Sequence, residues 1–330
     1  MIDVKAYNDE CRAEWNSFTE KARTQTVLFS RNFMDYHKDR FQDFSLMVYE
    51  DNALVAVFPA SVKNGIVNSH GGLTFGGFLT ARNEYAKNTI RYITAVFKFF
   101  HAAGIEKIIY KQSPSFYNIV SQDETDYAMF LADATLFRMD IAFAVNQRLQ
   151  EKIPYQERRN RAIKKAVKNG VVITETYDFA PFWNIILCPN LQERFNVKPV
   201  HSLEEIRLLS DLNPGMIRQF EARQNDVLLA GCTVFESQTV AHAQYISASN
   251  EGRQNGAIDL LFHELITVHF TNKEVFDFGI ANEEQGRMIN TGLMDWKEGF
   301  GARAFAHRFY EIQTANYTKI ETALRLESAQ

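Results

Sequence analysis

Apolar positions recur with two different periods along the last third of the chain. Val240–Ser247 is rich in β-branched and aromatic residues, which favours a strand, and a polar stretch containing glycine follows over Ala248–Gly256. Ala257–Phe270 carries apolar residues at helical spacing, and Lys273–Ile280 predicts a second strand. Strand, loop, helix and strand form a βαβ unit, whose right-handed crossover makes the two strands parallel.

A similar order of elements is predicted in the first half. Phe44–Pro59 predicts a hairpin, a glycine-rich stretch follows near His70, and Tyr85–Ala103 and Ile105–Tyr110 predict a helix and a strand. In the second half, Met216–Phe235 predicts the matching hairpin before the βαβ unit. We therefore interpret the 330-residue chain as a duplicated α/β protein with mixed (α+β) sheets, in which residues 1–150 and 151–330 form two domains of one kind.

Charge and cysteine usage narrow the class of protein. The formal charge is −4, which disfavours a general DNA-binding role. Cys11, Cys188 and Cys232 lie far apart, with neither a disulfide framework nor the spacing of a metal site. The amino terminus lacks the pattern of a signal peptide, and no apolar run approaches the length of a membrane span. We expect a cytoplasmic protein with no bound metal and no membrane span.

The loop that precedes the helix of the βαβ unit is the first candidate site. It contains Arg253, Asn255, Gly256 and Ala257. A helix amino terminus presents free N–H groups and the positive end of the helix dipole, which favours a bound phosphate. The alternative is a connecting loop that happens to contain glycine. If a donor phosphate binds here, Gly256→Glu should weaken donor binding by at least about tenfold while the melting temperature changes little.

The two strands of the unit supply candidates for acid–base chemistry. Alternation directs His242 and Gln244 to one face of their strand and Tyr245 to the other. His242 is a candidate to take a proton from an attacking amine, and the alternative is a satisfied core histidine. Asp277 lies inside an apolar strand, where a carboxylate needs a partner. Its pairing is either structural or part of acid–base chemistry.

Two further groups of residues have both a functional and a structural interpretation. Asn290 and Lys297 lie seven residues apart on one face of a short predicted helix, where they either hold a substrate carbonyl or serve as a helix cap and a surface lysine. His70 and Phe75 belong to a segment with four glycines. This segment either forms a wall of a cleft between the domains, in contact with substrate, or makes a tight bend.

A basic helix is predicted between the halves, from Pro154 to Gly170. Arg158, Arg161 and Lys165 share one of its faces. That face is either a cationic wall for the phosphates of a donor or acceptor, or a solvated surface.

The residues of the last third resemble the GNAT superfamily of acyltransferases, in its FemAB-like branch. Arg253 and Gly256 match the start of the pyrophosphate loop. The match continues through the His-x-Gln-Tyr strand, Phe276-Asp277-Phe278-Gly279, Asn290-x-Gly292 and Lys297-Glu298-Gly299-Phe300. The resemblance implies two tandem GNAT-like (acyl-CoA N-acyltransferase) domains. The tyrosine of the usual Asn-x-x-Ala-x-x-x-Tyr pattern is replaced by Lys297, so that general acid does not carry over.

The resemblance also implies an activity. An acyl or aminoacyl group would pass from acyl-CoA or aminoacyl-tRNA to an amine, such as an amino sugar of a cell-envelope or surface-polysaccharide precursor. An acidic chain without a long helical arm favours acyl-CoA over tRNA as the donor. The alternative from another class is a non-catalytic protein that binds a nucleotide or a glycan precursor through a degenerate GNAT fold.

Overall fold

Strands form at most of the places where the apolar pattern predicts them. The computed structural model of the protein describes residues 1–325. Within these residues the strands are β1 (Ile2–Ala6), β2 (Gln42–Asp43), β3 (Leu46–Glu50), β4 (Ala53–Phe58), β5 (Ser61–Lys63), β6 (Ile66–Asn68), β7 (Leu79–Thr80), β8 (Lys107–Lys111), β9 (Thr135–Asn146), β10 (Val172–Thr176), β11 (Ile217–Gln224), β12 (Val227–Glu236), β13 (Val240–Ala248), β14 (Val275–Ile280), β15 (Asn282–Glu283), β16 (Met288–Ile289) and β17 (Arg303–Gln313).

The helices occupy the stretches with helical spacing and a number of polar segments between strands. They are α1 (Arg12–Thr19), α2 (Arg31–Met34), α3 (Ala86–Ala102), α4 (Glu124–Leu131), α5 (Glu157–Lys168), α6 (Cys188–Phe195), α7 (Leu203–Leu212), α8 (Asn250–Gln254), α9 (Ala257–Glu264), α10 (Thr291–Glu298) and α11 (Tyr317–Arg325). Two segments, Phe182–Leu187 and Leu265–His269, are π-helical. In the part of the chain that the structure describes, no helix has both the length and the apolar character to cross a membrane.

The chain divides into two units. Unit 1 contains residues 1–140, 284–287 and 306–325, and unit 2 contains Ile141–Glu283 and Met288–Phe305. The predicted division at 150/151 differs from these units, because residues 141–150 belong to unit 2 and residues 306–325 to unit 1. The reason is that β9 and β17 each begin in one unit and end in the other. A sequence pattern shows where a strand ends, but it does not show which core each half of the strand packs against.

Unit 1 contains two groups of paired strands. One has the order β1-β3-β4-β7, and the other contains β8, β6, β5 and β2 in that order together with the end of β17. Helix α3 packs its apolar stripe, which includes Ile93, Val96, Phe97 and Phe100, into the core of this unit.

Unit 2 is built on strands in the order β10-β11-β12-β13-β14-β9. Neighbours pair antiparallel except β13 and β14, which are parallel as the βαβ pattern predicts. Helix α9 covers this sheet, and the ring of Phe262 stacks on that of Phe278 with 5.0 Å between centroids. The predicted α/β class with mixed sheets is confirmed.

Both units contain a hairpin, a helix and a strand in the same order. The elements are β3–β4, α3 and β8 in unit 1, and β11–β12, α9 and β14 in unit 2. The units differ in one pairing. In unit 2 the parallel neighbour of β14 is β13, the strand that leads into α8 and α9. In unit 1 the parallel neighbour of β8 is β6, whereas β7, the strand before α3, pairs with β4.

Two local predictions are corrected. The polar stretch Ala248–Gly256 was expected to be a loop, but it contains α8, because the Ser249 side chain accepts a hydrogen bond from the Gly252 N–H and caps a helical turn. The helix predicted over Ala257–Phe270 is α-helical only to Glu264 and then continues as π-helix. Hydrophobic spacing does not distinguish these two helix types.

Candidate active site

His242 and Asp277 face each other across the parallel strand pair of unit 2. They are register partners on β13 and β14, and His242 Nδ1 lies 2.7 Å from Asp277 Oδ2. Asp277 is 3% exposed, so its carboxylate needs partners. It finds a second one in the Gly279 N–H, which donates to Oδ1 at 2.7 Å. The Asp277 carboxylate therefore holds both the imidazole and the bend of its own strand.

The same pair marks the point where the two strands separate. Their ladder runs over Val240–Val275, Ala241–Phe276 and His242–Asp277 and continues no further within the described residues. Beyond it, β13 remains paired with β12, and β14 has an irregularity between Asp277 and Ile280. Gly279 takes φ +72° there, a conformation that favours glycine. The divergence leaves an edge of β13 free of ladder pairing beside the His242 ring.

Gln244 contacts the other ring nitrogen of His242. Its Oε1 lies 3.1 Å from His242 Nε2. An amide group can present either its oxygen or its NH₂ to a neighbour. Gln244 can therefore accept from a protonated Nε2 or, with the amide rotated, donate to an unprotonated one. The predicted face-sharing of His242 and Gln244 is confirmed by this contact.

Lys297 is buried next to this pair, at 2% exposure. Its Nζ donates to the carbonyl oxygens of Gly279 at 2.9 Å and Ile280 at 2.6 Å. Burial lowers the pKa of the Lys297 ammonium to about 7, against the attraction of the Asp277 carboxylate, which raises it. The surface-lysine alternative is thus wrong. The side chain instead fixes the irregular end of β14, and its charge changes near neutral pH.

Asn290 and Tyr245 lie outside this contact network. Asn290 is the amino-terminal cap of α10: its Oδ1 accepts from the Leu293 N–H at 3.0 Å, as the capping alternative predicts. Tyr245 is on the opposite face of β13, as alternation predicts, and its hydroxyl lies 2.6 Å from His201 Nδ1. Its ring makes an edge contact with Trp183. Tyr245 thus belongs to the packing beneath the strand.

The amino terminus of α9, the predicted phosphate site, is closed by the protein itself. Asn255 Oδ1 accepts from the Ala257 N–H at 3.0 Å. Gly256 adopts φ +83°, and a Cβ at this position would lie 2.2 Å from the Ala162 carbonyl oxygen of α5. Asn255 and Ala257 are buried. These contacts favour the alternative of a connecting loop. They also give the glycine a reason that the sequence did not show, since it allows the close approach of α5.

Arg253 points its guanidinium back into its own loop. It donates to the Ala248 carbonyl oxygen and, at 2.6 Å, to Asn250 Oδ1. Part of its hydrogen-bonding capacity therefore holds α8 in place, while the side chain stays partly accessible.

Sequence reasoning missed a buried ion pair at this helix end. Asp259, in the first turn of α9, is 4% exposed and pairs with Arg159 of α5. Burial raises the pKa of the Asp259 carboxyl, and Arg159 opposes the shift. The sequence does show an acidic residue in the first turn of the helix, where it interacts favourably with the positive end of the helix dipole. Which cation pairs with this carboxylate depends on tertiary packing. The positive end of α9 already faces this carboxylate.

The three predicted cationic residues lie on α5, which runs from Glu157 to Lys168 within the predicted range. Arg158 donates to the Asp295 carbonyl oxygen at 2.9 Å, and Lys165 donates to the Gln254 carbonyl oxygen at 3.0 Å. Arg161 has a 71% exposed side chain and a long contact with Glu157. All three side chains reach solvent.

His70 and Phe75 are buried within unit 1. Phe75 packs against Tyr117 with 4.7 Å between ring centroids, and His70 stacks on His37. Burial lowers the pKa of His70 to about 3. A Cβ on Gly76 would lie 1.8 Å from the Ser69 carbonyl oxygen. These contacts favour the tight-bend alternative for this segment.

The mixed sheet of unit 2 has one parallel pair among its described strands, β13 and β14, and this pair diverges after His242 and Asp277. The whole structure is similar to the crystal structure of FemX, with a TM-score of 0.68 over 95% of this chain and 98% of that one, at 11% sequence identity. It is also similar to L-PGS from Bacillus licheniformis (TM-score 0.59, 10% identity, 98% and 97% coverage). A third similar structure is a tandem GNAT protein from the clavulanic acid biosynthesis pathway (TM-score 0.51, 10% identity, 95% and 99% coverage).

At these identities the likeness establishes the fold, and the predicted FemAB-like form of the GNAT fold is confirmed. No protein-family model and no curated protein sequence matches the chain. Among residues 1–325 no group of three or more His, Cys, Asp or Glu side chains is placed to hold a metal ion.

Proposed function

We propose that this protein is an N-acyltransferase in which His242 is the general base. The observation that carries the proposal is the position of the His242–Asp277 pair. The pair is the last pair of register partners between β13 and β14, the only parallel neighbours among the described strands of unit 2's sheet. It lies at the point where a GNAT-type sheet opens. His242 retains 18% side-chain exposure while Asp277 lies behind it, so the imidazole is the member of the pair that a substrate can reach.

The contacts suggest how the step would proceed. With Nδ1–H donated to Asp277 and the Gln244 amide rotated so that its NH₂ group faces the ring, the imidazole keeps its lone pair on Nε2. Nε2 takes a proton from the acceptor ammonium, and the amine nitrogen then attacks the donor carbonyl carbon. The C–N bond forms as the C–S or C–O bond of the donor breaks. The protonated imidazole gives its proton to the leaving thiolate or alkoxide. It then takes the second proton from the nitrogen of the new amide and releases it to solvent, so that the products are a neutral amide, a thiol or alcohol, and one proton.

Asp277 and Lys297 have supporting roles in this proposal. Asp277 fixes the tautomer and orientation of His242 and stabilises the imidazolium that forms. Lys297 ties the carbonyls of Gly279 and Ile280 and so keeps β14 turned away from β13. Backbone groups on the free edge of β13 are then available to position the donor.

The substrates remain those of the sequence-based hypothesis. The donor is acyl-CoA or an aminoacyl-tRNA, and the acceptor is an amine such as an amino sugar of a cell-envelope or surface-polysaccharide precursor. The cap made by Asn255 and the contact of Gly256 with α5 suggest that the donor phosphates are not held by Arg253, Asn255, Gly256 and Ala257. The exposed face of α5 is the alternative place for them.

A second candidate function has one observation in its favour. Because the amino terminus of α9 is closed by Asn255 and faces the Asp259 carboxylate, the phosphate loop is degenerate. A degenerate loop is expected in a non-catalytic protein that binds a nucleotide or a glycan precursor.

The test is a transfer assay with matched histidine variants. Acetyl-CoA, longer acyl-CoA thioesters and aminoacyl-tRNAs are each incubated with a panel of amino sugars, and free thiol or amide product is measured. We expect His242→Gln to lower kcat/KM by about 10²–10⁴-fold, the usual contribution of a general base. His269→Gln is the control, since His269 packs on Phe220, outside the contacts of His242; its activity should stay near that of the wild type.

Full activity of His242→Gln would refute the assignment of the base. Saturable binding of coenzyme A or of a nucleotide sugar by calorimetry, with no turnover of any donor–acceptor pair, would instead support the binding protein.

A further inference from the structure

Strand β1 of unit 1 has a free edge. It is the end strand in the order β1-β3-β4-β7, and β3 is its one neighbour among the described strands. Such an edge presents backbone N–H and C=O groups that can pair with another chain. The side chains of Asp3 and Lys5 on this strand are 60% and 61% exposed, so one of its faces is open to solvent.

The hydrogen bonds to β3 show which backbone groups of this strand face outward. The Tyr7 N–H donates to the Ser45 carbonyl oxygen at 2.8 Å, and the Asp51 N–H donates to the Met1 carbonyl oxygen at 3.3 Å. In an antiparallel ladder such hydrogen-bonded pairs recur at every second residue, so the odd-numbered residues of this segment bond to β3. The even-numbered residues direct their N–H and C=O groups to the free edge. They are Ile2, Val4 and Ala6.

A groove of ≈ 520 Å³ borders this strand. It is lined by Ile2 and Val4 of β1, Phe99 of α3 and Leu324 of α11. Ile2 and Val4 pack against the core of unit 1 but stay partly exposed. The positive and negative charges of the groove are equal in number. They are Arg91, Lys98, Asp3 and Glu321. The free edge therefore adjoins an apolar surface without net charge, which suits a protein partner.

We propose that two copies of this chain associate by antiparallel pairing of their β1 strands, centred on Val4. Val4 then pairs with Val4 of the second copy, and Ile2 pairs with Ala6 of the second copy. Each of these pairs exchanges two hydrogen bonds through the groups that face the free edge. Paired residues have their side chains on the same face of a sheet, so the two Val4 side chains meet beside the groove and bury apolar surface.

The charges of β1 select this register. With Val4 at the centre, Asp3 stands opposite Lys5 of the second copy, and Lys5 stands opposite Asp3 of the second copy. Both are pairs without mutual hydrogen bonds, in which the side chains approach each other most closely. The neighbouring registers that also pair the outward groups would place Asp3 opposite Asp3 or Lys5 opposite Lys5. Like charges directly opposite each other destabilise a sheet.

The other five-residue edge strand lacks this property. β10 lies at the end of the strand order in unit 2 and carries one charged residue, Glu175, which pairs with Arg218. No register of two β10 strands brings opposite charges together. The association through β1 does not depend on the proposed acyl transfer, because β1 belongs to unit 1 and His242 to unit 2.

The test is sedimentation equilibrium of the full-length chain. A five-residue edge makes a small interface, so we expect a dissociation constant of about 10⁻⁶–10⁻⁴ M. The weight-average mass should rise from that of one chain towards that of two between about 1 and 500 µM. Hydrogen–deuterium exchange of the peptide that contains Val4 should be slower at the higher concentration, because its outward amides become bonded.

Charge-swap variants test the register. Asp3→Lys places a like charge opposite Lys5 of the second copy, and Lys5→Asp places one opposite Asp3. Each change should lower the association constant by about tenfold or more. The double variant Asp3→Lys/Lys5→Asp restores opposite charges in both pairs, so its association constant should match that of the wild type. Because both side chains are exposed, the melting temperature should change little in all three variants.

A mixture of the two single variants controls for net charge. One chain then has lysine at both positions and the other has aspartate at both, so the mixture should associate more strongly than either variant alone. Glu20→Lys makes the same change in net charge as Asp3→Lys, at an exposed residue outside β1 and the groove. It should associate like the wild type.

The proposal is overturned if the wild type stays monomeric over the whole concentration range. It is also overturned if a dimer forms that Asp3→Lys and Lys5→Asp weaken no more than Glu20→Lys does, or that leaves the exchange of the Val4 peptide unchanged, since the interface would then lie elsewhere. A double variant that associates as weakly as the single variants would rule out the register centred on Val4.

Discussion

At the residue scale, the burial of Lys297 sets the pH at which its amine loses a proton. An exposed lysine at the same helix position would keep its proton over the whole physiological range. Here the surrounding protein replaces water, and the two carbonyl oxygens of Gly279 and Ile280 provide hydrogen bonds without a full counter-charge. The neutral amine can satisfy both carbonyls, since it still has two N–H donors. The side chain can therefore hold the strand end in either protonation state.

This burial predicts a particular dependence of stability on pH. The pKa of Lys297 is about 7 in the folded protein, below its ordinary value of 10.5, so between these values the unfolded chain binds more protons and stability rises with pH. Lys297→Met removes this contribution. The difference in the free energy of unfolding, variant minus wild type, should be largest near pH 7 and should decrease towards about pH 10. Urea unfolding at several pH values measures it.

Lys168→Met is the matched control, because Lys168 is an exposed lysine of unit 2. Its curve should run parallel to that of the wild type. Parallel curves for wild type and Lys297→Met would show that the Lys297 pKa is not lowered by burial.

At the element scale, the contact between α5 and the amino terminus of α9 explains why this loop contains glycine. The Ala162 carbonyl oxygen occupies the space that a Cβ on residue 256 would need. Arg159 and Asp259 tie the same two helices by a buried ion pair. The residue pattern of this loop is typical of a phosphate loop, yet in this protein its glycine serves the packing of two helices. The sequence does not distinguish the two cases, because the close approach of a helix backbone and the binding of a phosphate both require glycine at residue 256.

This contact changes the expected effect of substitutions at residue 256. We expect Gly256→Ala to lower the free energy of unfolding by more than about 1 kcal/mol, since both its φ of +83° and the 2.2 Å approach must be relieved. The earlier expectation that Gly256→Glu leaves the melting temperature nearly unchanged is therefore replaced by a clear fall.

Gly170→Ala separates the two causes. Gly170 has φ +73° with no atom within 4 Å of its Cβ position, so this variant measures the conformational cost alone. Chemical denaturation of both variants should give a larger loss for Gly256→Ala. Equal losses would mean that the α5 contact relaxes without cost.

At the scale of the whole molecule, the two units have the same order of hairpin, helix and strand along the chain, but their strands pair with different neighbours. In unit 2, β13 precedes the helices and pairs with β14 for three residues before the strands diverge. In unit 1, the inserted hairpin β5–β6 supplies the parallel partner of β8, and Gly76 adds a bridge to Gln112. The corresponding edge of β8 is thus occupied by the protein's own backbone. This difference supports the placement of the proposed transfer site in unit 2.

The cationic face of α5 can be tested as the place where the donor phosphates bind. Reversing Arg158, Arg161 and Lys165 to Glu should weaken the binding of an anionic donor such as coenzyme A and reduce the dependence of its affinity on salt. The physical reason is that these three side chains form an accessible cationic face on α5. Calorimetry at two ionic strengths measures both effects.

The control has the same change in net charge. Reversal of Lys21, Lys63 and Lys87, exposed residues of unit 1, alters the total charge equally but leaves α5 intact. If both triple variants bind coenzyme A alike, α5 is a solvated face and the effect is one of net charge only.

The sequence by itself determined the elements that depend on local pattern. The period of apolar residues located β13, α9 and β14, and strand alternation placed His242 and Gln244 on one face with Tyr245 on the other. The βαβ rule predicted that β13 and β14 are parallel. These features follow from backbone geometry, which repeats every two residues in a strand and every three to four in a helix.

Only the tertiary structure decided which groups meet. It paired His242 with Asp277 rather than leaving each as a separate core residue, buried Lys297 on two carbonyls, and closed the amino terminus of α9 with Asn255 and α5. It also assigned the two ends of β9 to different units. These outcomes depend on contacts between residues distant in sequence, because burial, close approach and charge pairing are set by the neighbours that the fold brings together and not by the local pattern.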